Sequence, residues 1–347
     1  MKNYRIQFWR ILFTYIIALY HLNNSYGRKT SWYIAVEFFF ILSGYLLARK
    51  FEQLEEQGKS VSAWEYTGRR YLKFLPHHIF AFVPAFLVYI RAENFHLLES
   101  AQEFVRHIWV LFMVQTIGIN MEPEFEVQTQ TWYLSVLLFM GALIWYLMKN
   151  HKKLFTEIIA PFSVAVIYAY LYRTYGDVNE HQETLGFLLN SAWLRGFAAM
   201  CCGVSAYYGA QKIRGADCSR RTRRLLKLLS FAGFTAVVIA SGNCYRTVYD
   251  FLFIPILTVS VVFAFCDDES GKLLSNALID KLSVLTFSIF LNHKMFKLIF
   301  EAYFPVLNWK IYLLYIAVIT IYSAFAYVFV DRSIKICMAG RKKRQEG

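Results

Sequence analysis

The sequence predicts an all-α membrane protein, a polytopic bundle of about ten spanning helices with both termini cytosolic. Three observations predict it. Apolar stretches of roughly 17–22 residues, each long enough to cross a hydrocarbon core as a helix, recur along the whole chain. Of the 347 residues, 57% are hydrophobic and 18% aromatic, and mean hydropathy is +0.36; a soluble domain is about 45–50% apolar. The bases gather in particular loops, so the formal net charge of +13 reflects topology and not nucleic-acid binding. The runs are too long and continuous for barrel strands, and backbone in lipid must satisfy its own hydrogen bonds.

The first span, 8–22, carries two ionisable residues, Arg10 and His21. A helix turns about 100° per residue, so eleven steps return the chain to nearly the same face. The two lie on one stripe, about 16 Å apart, with Phe13, Thr14 and Ile17 between them. Ionisable groups at such depth face a bundle interior, a partner or a water-filled cavity. The alternative is that Arg10 snorkels to an interface while His21 caps the other end. The segment contains Arg10, ends in His21 and has no small-residue cleavage site after it, so it is not a signal peptide.

The second span, 32–48, holds Glu37 in its outer half and the small pair Ser43–Gly44, which permits close helix approach. A packing motif with one interfacial carboxylate would account for both. The loop that follows ends in GRRYLKFLP, Gly68 to Pro76, placing Arg69, Arg70 and Lys73 on the first turns of the third span, 74–91. Positive charge there opposes the helix macrodipole, so topology or an anionic ligand has to explain it. A phosphate-bearing ligand fits, and so does an ordinary lipid-facing basic collar that would include His77 and His78.

Further spans are expected at 131–148, 157–173, 188–208, 225–241, 250–266, 283–300 and 311–330. One more apolar run, Phe104 to Ile119, is read as a re-entrant or surface-lying helix on the outer side. If it crossed, the acidic loop Glu122, Glu124 and Glu126 would be cytosolic and the basic loop Lys149, Lys152 and Lys153 outside. The positive-inside rule opposes the second placement. Without that crossing, every strongly basic loop falls on one side, together with Lys2, Arg5 and the tail Arg341, Lys342, Lys343 and Arg344. The whole chain, 1–347, therefore reads as one integral-membrane domain, with 332–347 as a basic cytosolic tail. No internal repeat is visible, which disfavours a transporter built on inverted repeats.

Other ionisable or aromatic residues in the spans each have two readings. Arg195, in the outer half of 188–208, either pairs with Glu37 or an external acid, or serves a site. His293, beside Asn292 in the outer half of 283–300, either lines an acceptor cleft or sits at an interface. Trp132 is an interfacial anchor or a sugar-stacking ring. The six cysteines, Cys201, Cys202, Cys218, Cys244, Cys266 and Cys337, show neither a CxxC pair nor metal spacing with histidine. No metal is expected.

Taken in order, these pieces resemble the acyltransferase-3 family, integral-membrane O-acyltransferases that modify cell-surface glycans. The resemblance rests on the Arg10–His21 spacing, EFFFILSGYLL (Glu37 to Leu47), RRYLKFLP (Arg69 to Pro76), TWYLS (Thr131 to Ser135) and FSIFLNH (Phe287 to His293). It implies that His21 is the essential histidine, Arg10 the motif arginine and Glu37 the acid before the double Phe. It also implies that Arg69, Arg70 and Lys73 hold acyl-CoA phosphates at the cytosolic face. One departure is Leu137, where the family often has an acid; another is the lack of an appended esterase-like domain, which implies a stand-alone membrane module.

The expected activity is acyl transfer, acetyl in the first instance, from cytosolic acetyl-CoA or another acyl-CoA to a hydroxyl of a glycan or glycolipid. Such a transfer needs a base with a pKa near working pH, and histidine suits it; His21 could equally carry the acyl group. Catalytic candidates are His21, Arg10 and Glu37; donor-binding candidates are Arg69, Arg70 and Lys73; acceptor-side candidates are Trp132, His293, Arg195 and Ser43. The expected partners are the acceptor and membrane lipids, with no nucleic acid, and the expected location is a membrane, the cytoplasmic (inner) one if the source is bacterial. Two alternatives remain: a transporter or flippase for an anionic or lipid-linked substrate, and a catalytically inactive relative.

Overall fold

The structure is a computed structural model and describes residues 3–117, 127–180, 183–185, 189–267 and 277–346. Twelve α-helices make up the described chain, with one β-pair, Thr184–Leu185 (β1) against Leu189–Asn190 (β2). Each of the ten expected spans is helical: α1 Tyr4–Ser25, α2 Ala35–Glu56, α3 Ala63–Glu93, α6 Trp132–Leu154, α7 Ala160–Tyr175, α8 Ser191–Gly215, α9 Arg220–Gly242, α10 Asp250–Ala264, α11 Ala277–Tyr303 and α12 Trp309–Glu346. By length and apolar composition alone, five stretches qualify as membrane-crossing: Ala63–Glu93, Thr129–Tyr175, Arg220–Gly242, Ala277–Tyr303 and Trp309–Ile336. The second of these joins α6 to α7 through a π-helical turn at Phe155–Ile159.

The bundle is knit by close approach. The α2–α8 pair meets where Gly44 faces the backbone carbonyl of Met200 and Gly203 faces that of Ile41. A Cβ at either glycine would overlap backbone, so the small residues set the spacing of these two helices. Exposed apolar side chains such as Val83, Leu87, Ile239, Ile321 and Phe325 lie on the outside, as lipid contact requires.

Contacts fix the helix directions. Tyr4 donates to Asp280 at 3.4 Å and Tyr26 to the Phe300 carbonyl at 3.0 Å, so α1 and α11 run parallel. Tyr15 meets Thr320 and Tyr312 donates to Asn23, so α12 runs against α1. Glu37 pairs with Arg195 at one end and Tyr208 donates to Glu52 at the other, making α2 and α8 parallel. Tyr66 stacks on Trp145, with centroids 4.1 Å apart, whereas Ala81 accepts from Gln128 just before α6. Helices α3 and α6 are therefore antiparallel, and the stretch between them makes no net crossing of the bundle.

That stretch includes the run from Phe104. A first helix, α4 (Leu97–Arg106), ends at His107, and a single turn, α5 (Ile108–Leu111), follows. The chain then folds into the bundle. The Val110 carbonyl meets His78 Nε2 at 2.9 Å, Thr116 bonds Ser135 at 2.6 Å, and Trp193 donates to Thr116 at 2.9 Å. It therefore does not lie flat on the surface as one helix. Glu122, Glu124 and Glu126 lie outside the described residues, as do the side chains of the basic tail from Arg341 to Arg344.

Two expectations near the third span are corrected. His78 does not belong to a basic collar: it is wholly buried, and its ring anchors the α5 turn. Helix α3 begins at Ala63, well before Arg69, because Ser62 caps it by accepting from the Glu65 N–H at 3.1 Å. The pattern Ser-x-x-Glu is a helix-start signal that places the acid Glu65, and not the bases, in the first turn. The opposition between Arg69, Arg70, Lys73 and the macrodipole therefore does not arise.

Candidate active site

The stripe on α1 faces α11. Arg10 donates to Gln7 at 2.8 Å and to Thr286 at 3.2 Å, and its own carbonyl accepts from Thr14. Eleven residues on, the His21 ring stacks on His293, with centroids 5.2 Å apart and 28° between planes. His293 is fully buried and His21 half-buried, so the pair sits where the packed interior meets accessible space. Phe13 turns away from this seam to stack on Phe38, with centroids 4.4 Å apart, and holds α1 against α2.

At the Arg10 end, the three collar bases point in different directions. Arg69 is 73% exposed and pairs with Glu65 one turn back. Lys73 is exposed on the same face, as the i,i+4 spacing dictates. Arg70 alone turns inward: it donates to Tyr66 at 3.0 Å, lies over the Phe74 ring, and has Gly141 of α6 beside it. The hydroxyl of Tyr133, also on α6, meets Ser43 Oγ at 3.3 Å. Arg70 thus turns to the interior face of α3, Ser43 and Tyr133 form a polar contact between α2 and α6, and Arg10 is held by Gln7 and Thr286.

At the His21 end, Glu37 is wholly buried and ion-paired to Arg195, with Tyr168 donating to its other oxygen at 3.2 Å. Arg195 also lies over the Trp132 ring, with 5.4 Å from Cζ to centroid. The sequence-predicted residues Glu37, Arg195 and Trp132 are therefore one unit. The pair neutralises two charges that would be costly alone in a dry interior. Leu137 is buried among apolar side chains, so the missing family acid leaves no polar gap there.

The sequence reading missed three residues that the fold brings to this region. Tyr133 and Gln130 flank Trp132 in the chain, and the 3-10 turn Thr129–Thr131 aims Gln130 at α11. Tyr315 of α12 donates to the His293 carbonyl at 2.9 Å. A buried glutamine just ahead of an apolar run is a visible signal, but only the turn shows which helix it meets. Among the described residues, no group of His, Cys, Asp and Glu could hold a metal ion.

A family model described as an acyltransferase domain matches residues 3–329. The chain belongs to the acyltransferase-3 family. No curated protein and no solved structure matches it. An acyltransferase of this family, built from apolar helices, is an integral membrane enzyme, and the match covers every helix described above except the end of α12.

Proposed function

We propose that this acyltransferase moves an acyl group, acetyl in the first instance, from acyl-CoA at the cytosolic face to a hydroxyl of a cell-surface glycan or glycolipid. The observation that carries the reading is the α1–α11 seam, where Arg10 and His21 sit on one stripe and His21 meets a second histidine. Arg70 takes donor phosphate at the cytosolic mouth, and Arg69 and Lys73 add positive potential outside it. The thioester arm extends past Tyr133 and Ser43 toward Arg10. His21 accepts the proton of the acceptor hydroxyl as that oxygen bonds to the acyl carbon and the C–S bond breaks. The proton then passes to the departing thiolate. Glu37 and Arg195 position Trp132 and α8 around this chemistry.

Ten crossings with both termini cytosolic are part of the proposal. Tyr20 meets Tyr33 and Phe13 meets Phe38, so α1 and α2 run oppositely; Phe40 meets Trp132 and Phe51 meets Trp145, so α2 runs with α6 and against α3, and this alternation supports it. In a bacterium the proposed location is the cytoplasmic (inner) membrane, because the glycan acceptor would then lie outside and the acyl donor inside.

The test is to titrate purified protein with acetyl-CoA and compare wild type with Arg70→Ala and His21→Ala. Saturable binding that weakens about tenfold or more in Arg70→Ala, with turnover lost in His21→Ala, is the expected result; a charge-assisted phosphate contact is worth about 1.5–3 kcal/mol. No donor binding by folded wild-type protein would overturn it.

A further inference from the structure

The first turns of α9 carry four bases, Arg220, Arg223, Arg224 and Lys227, spaced i, i+3, i+4 and i+7, which puts them on one face of the helix. Like charges at this spacing repel, and positive charge in a first turn opposes the helix macrodipole. No acid stands in that turn to offset either effect. The four bases line a cavity of about 560 Å³ together with Cys218, in the turn before α9, and Asp267, just past α10. Four bases and one acid leave its walls with a net charge of +3, so even a headgroup with two phosphodiesters would not exhaust them.

Topology accounts for bases on one side of a membrane, but it does not ask that they be held in place. Arg223 is held: it donates from Nη2 to the Arg214 carbonyl at 3.4 Å and the Ala216 carbonyl at 3.3 Å, and from Nε to that of Cys218 at 3.5 Å. Lys227 pairs with one oxygen of Asp267, and Arg5 of α1 meets the other at 3.2 Å. That carboxylate is therefore occupied by two bases, and among the described residues none pairs with Arg220 or Arg224. Two exposed guanidinium forks on one stripe match phosphate oxygens. The same stripe says where the phosphate comes from. One turn beyond Arg224 stands Leu228, 67% exposed, followed by Phe231 at 47%. The helix face thus passes from charge to hydrocarbon, as a phospholipid passes from headgroup to chain.

We propose that this cavity binds the headgroup of an anionic phospholipid from the leaflet at the N-terminal end of α1. Arg220 and Arg224 take its phosphate, and Leu228 and Phe231 lie along its chains. The lipid secures the start of α9 against the end of α8, reached through Arg223, and against the segment after α10, reached through Lys227. The site is separate from the donor side. Arg70 belongs to α3, which packs on α6, α11 and α12, whereas α9 packs on α10 and, through Phe231, on Phe8 and Trp9 of α1.

The experiment is native mass spectrometry of the full chain released from detergent micelles, which counts bound lipids one by one. The lipid probes are cardiolipin, phosphatidylglycerol and the zwitterionic phosphatidylcholine; the soluble anions are inorganic pyrophosphate and acetyl-CoA. The test variant is Arg220→Gln/Arg224→Gln. The control is Lys212→Gln/Arg221→Gln, which removes the same charge from nearby exposed positions that do not line the cavity. At least one of the two anionic lipids is expected to bind saturably, ten times or more tighter than phosphatidylcholine. Its affinity should fall at least tenfold in the test variant and no more than about twofold in the control, with acetyl-CoA binding unchanged. Equal losses in both double variants would reduce the cavity to general surface potential and overturn the proposal. So would equal binding of phosphatidylcholine. Displacement of the lipid by an equal concentration of pyrophosphate would make this a site for free phosphate and not for lipid. A tenfold loss of acetyl-CoA binding in the test variant would make it a donor site and overturn the assignment as well.

Discussion

At the scale of single residues, the structure sorts side chains that look equivalent in the sequence. Arg69 and Arg70 are neighbours, yet one is paired to Glu65 in solvent and the other faces the interior. Arg69→Ala is therefore expected to change donor affinity by no more than about twofold, because exposed ion pairs contribute about 0–1 kcal/mol. Arg70→Ala should weaken it about tenfold or more; equal effects in the same titration would show that the inward turn of Arg70 is irrelevant. Arg195 is a different case. Its removal strands the buried carboxylate of Glu37, a loss of about 3–5 kcal/mol. Thermal unfolding in detergent should show Arg195→Met well below wild type and the double variant Arg195→Met/Glu37→Gln recovering much of the difference. A double variant no better than the single one would mean that the pair is not coupled. Arg10, His21, Glu37 and Arg195 were legible beforehand because ionisable residues stand out in apolar helices. Gln130 and Tyr133 did not, because a polar residue at the start of a span reads as interfacial until its partner is known.

At the scale of elements, apolar runs were legible and helix ends were not. All ten expected spans are helical, but α3 starts at Ala63, where Ser62 and Glu65 cap it inside a stretch that reads as polar loop. The Phe104–Ile119 run shows the opposite: hydrophobic composition suggested a helix, whereas the chain breaks at His107 and folds inward to His78 and Ser135. Composition records that a segment is buried in something; it does not record whether it is buried as one helix. The Ser43–Gly44 pair was read as a close-approach motif, and the α2–α8 contact supplies its reason. Gly44→Ala and Gly203→Ala should each destabilise by about 1–3 kcal/mol or more, because the clash is with backbone that no rotamer change relieves. Gly209→Ala, on the same helix but only in ordinary contact with Val262 at 3.6 Å, is the matched control and should be close to neutral. Melting temperatures that fall equally for all three would refute the argument from spacing.

At the scale of the whole molecule, two half-buried native cysteines offer a test of orientation. Cys218 lies in the turn between α8 and α9, toward the Arg10 end, and Cys244 lies just past the other end of α9. With all other cysteines replaced, a membrane-impermeant maleimide added to intact cells should label Cys244 and not Cys218. The reverse pattern would invert the topology. The seam between α1 and α11 has a consequence for how the enzyme comes into being. Its two histidines, His21 and His293, are made near the beginning and near the end of translation, and they meet only when α11 lies parallel beside α1. On the proposed mechanism, a chain cut short before α11 would hold His21 without His293 beside it. The seam that this proposal needs would then close only with the last pair of helices to be made, α11 and α12.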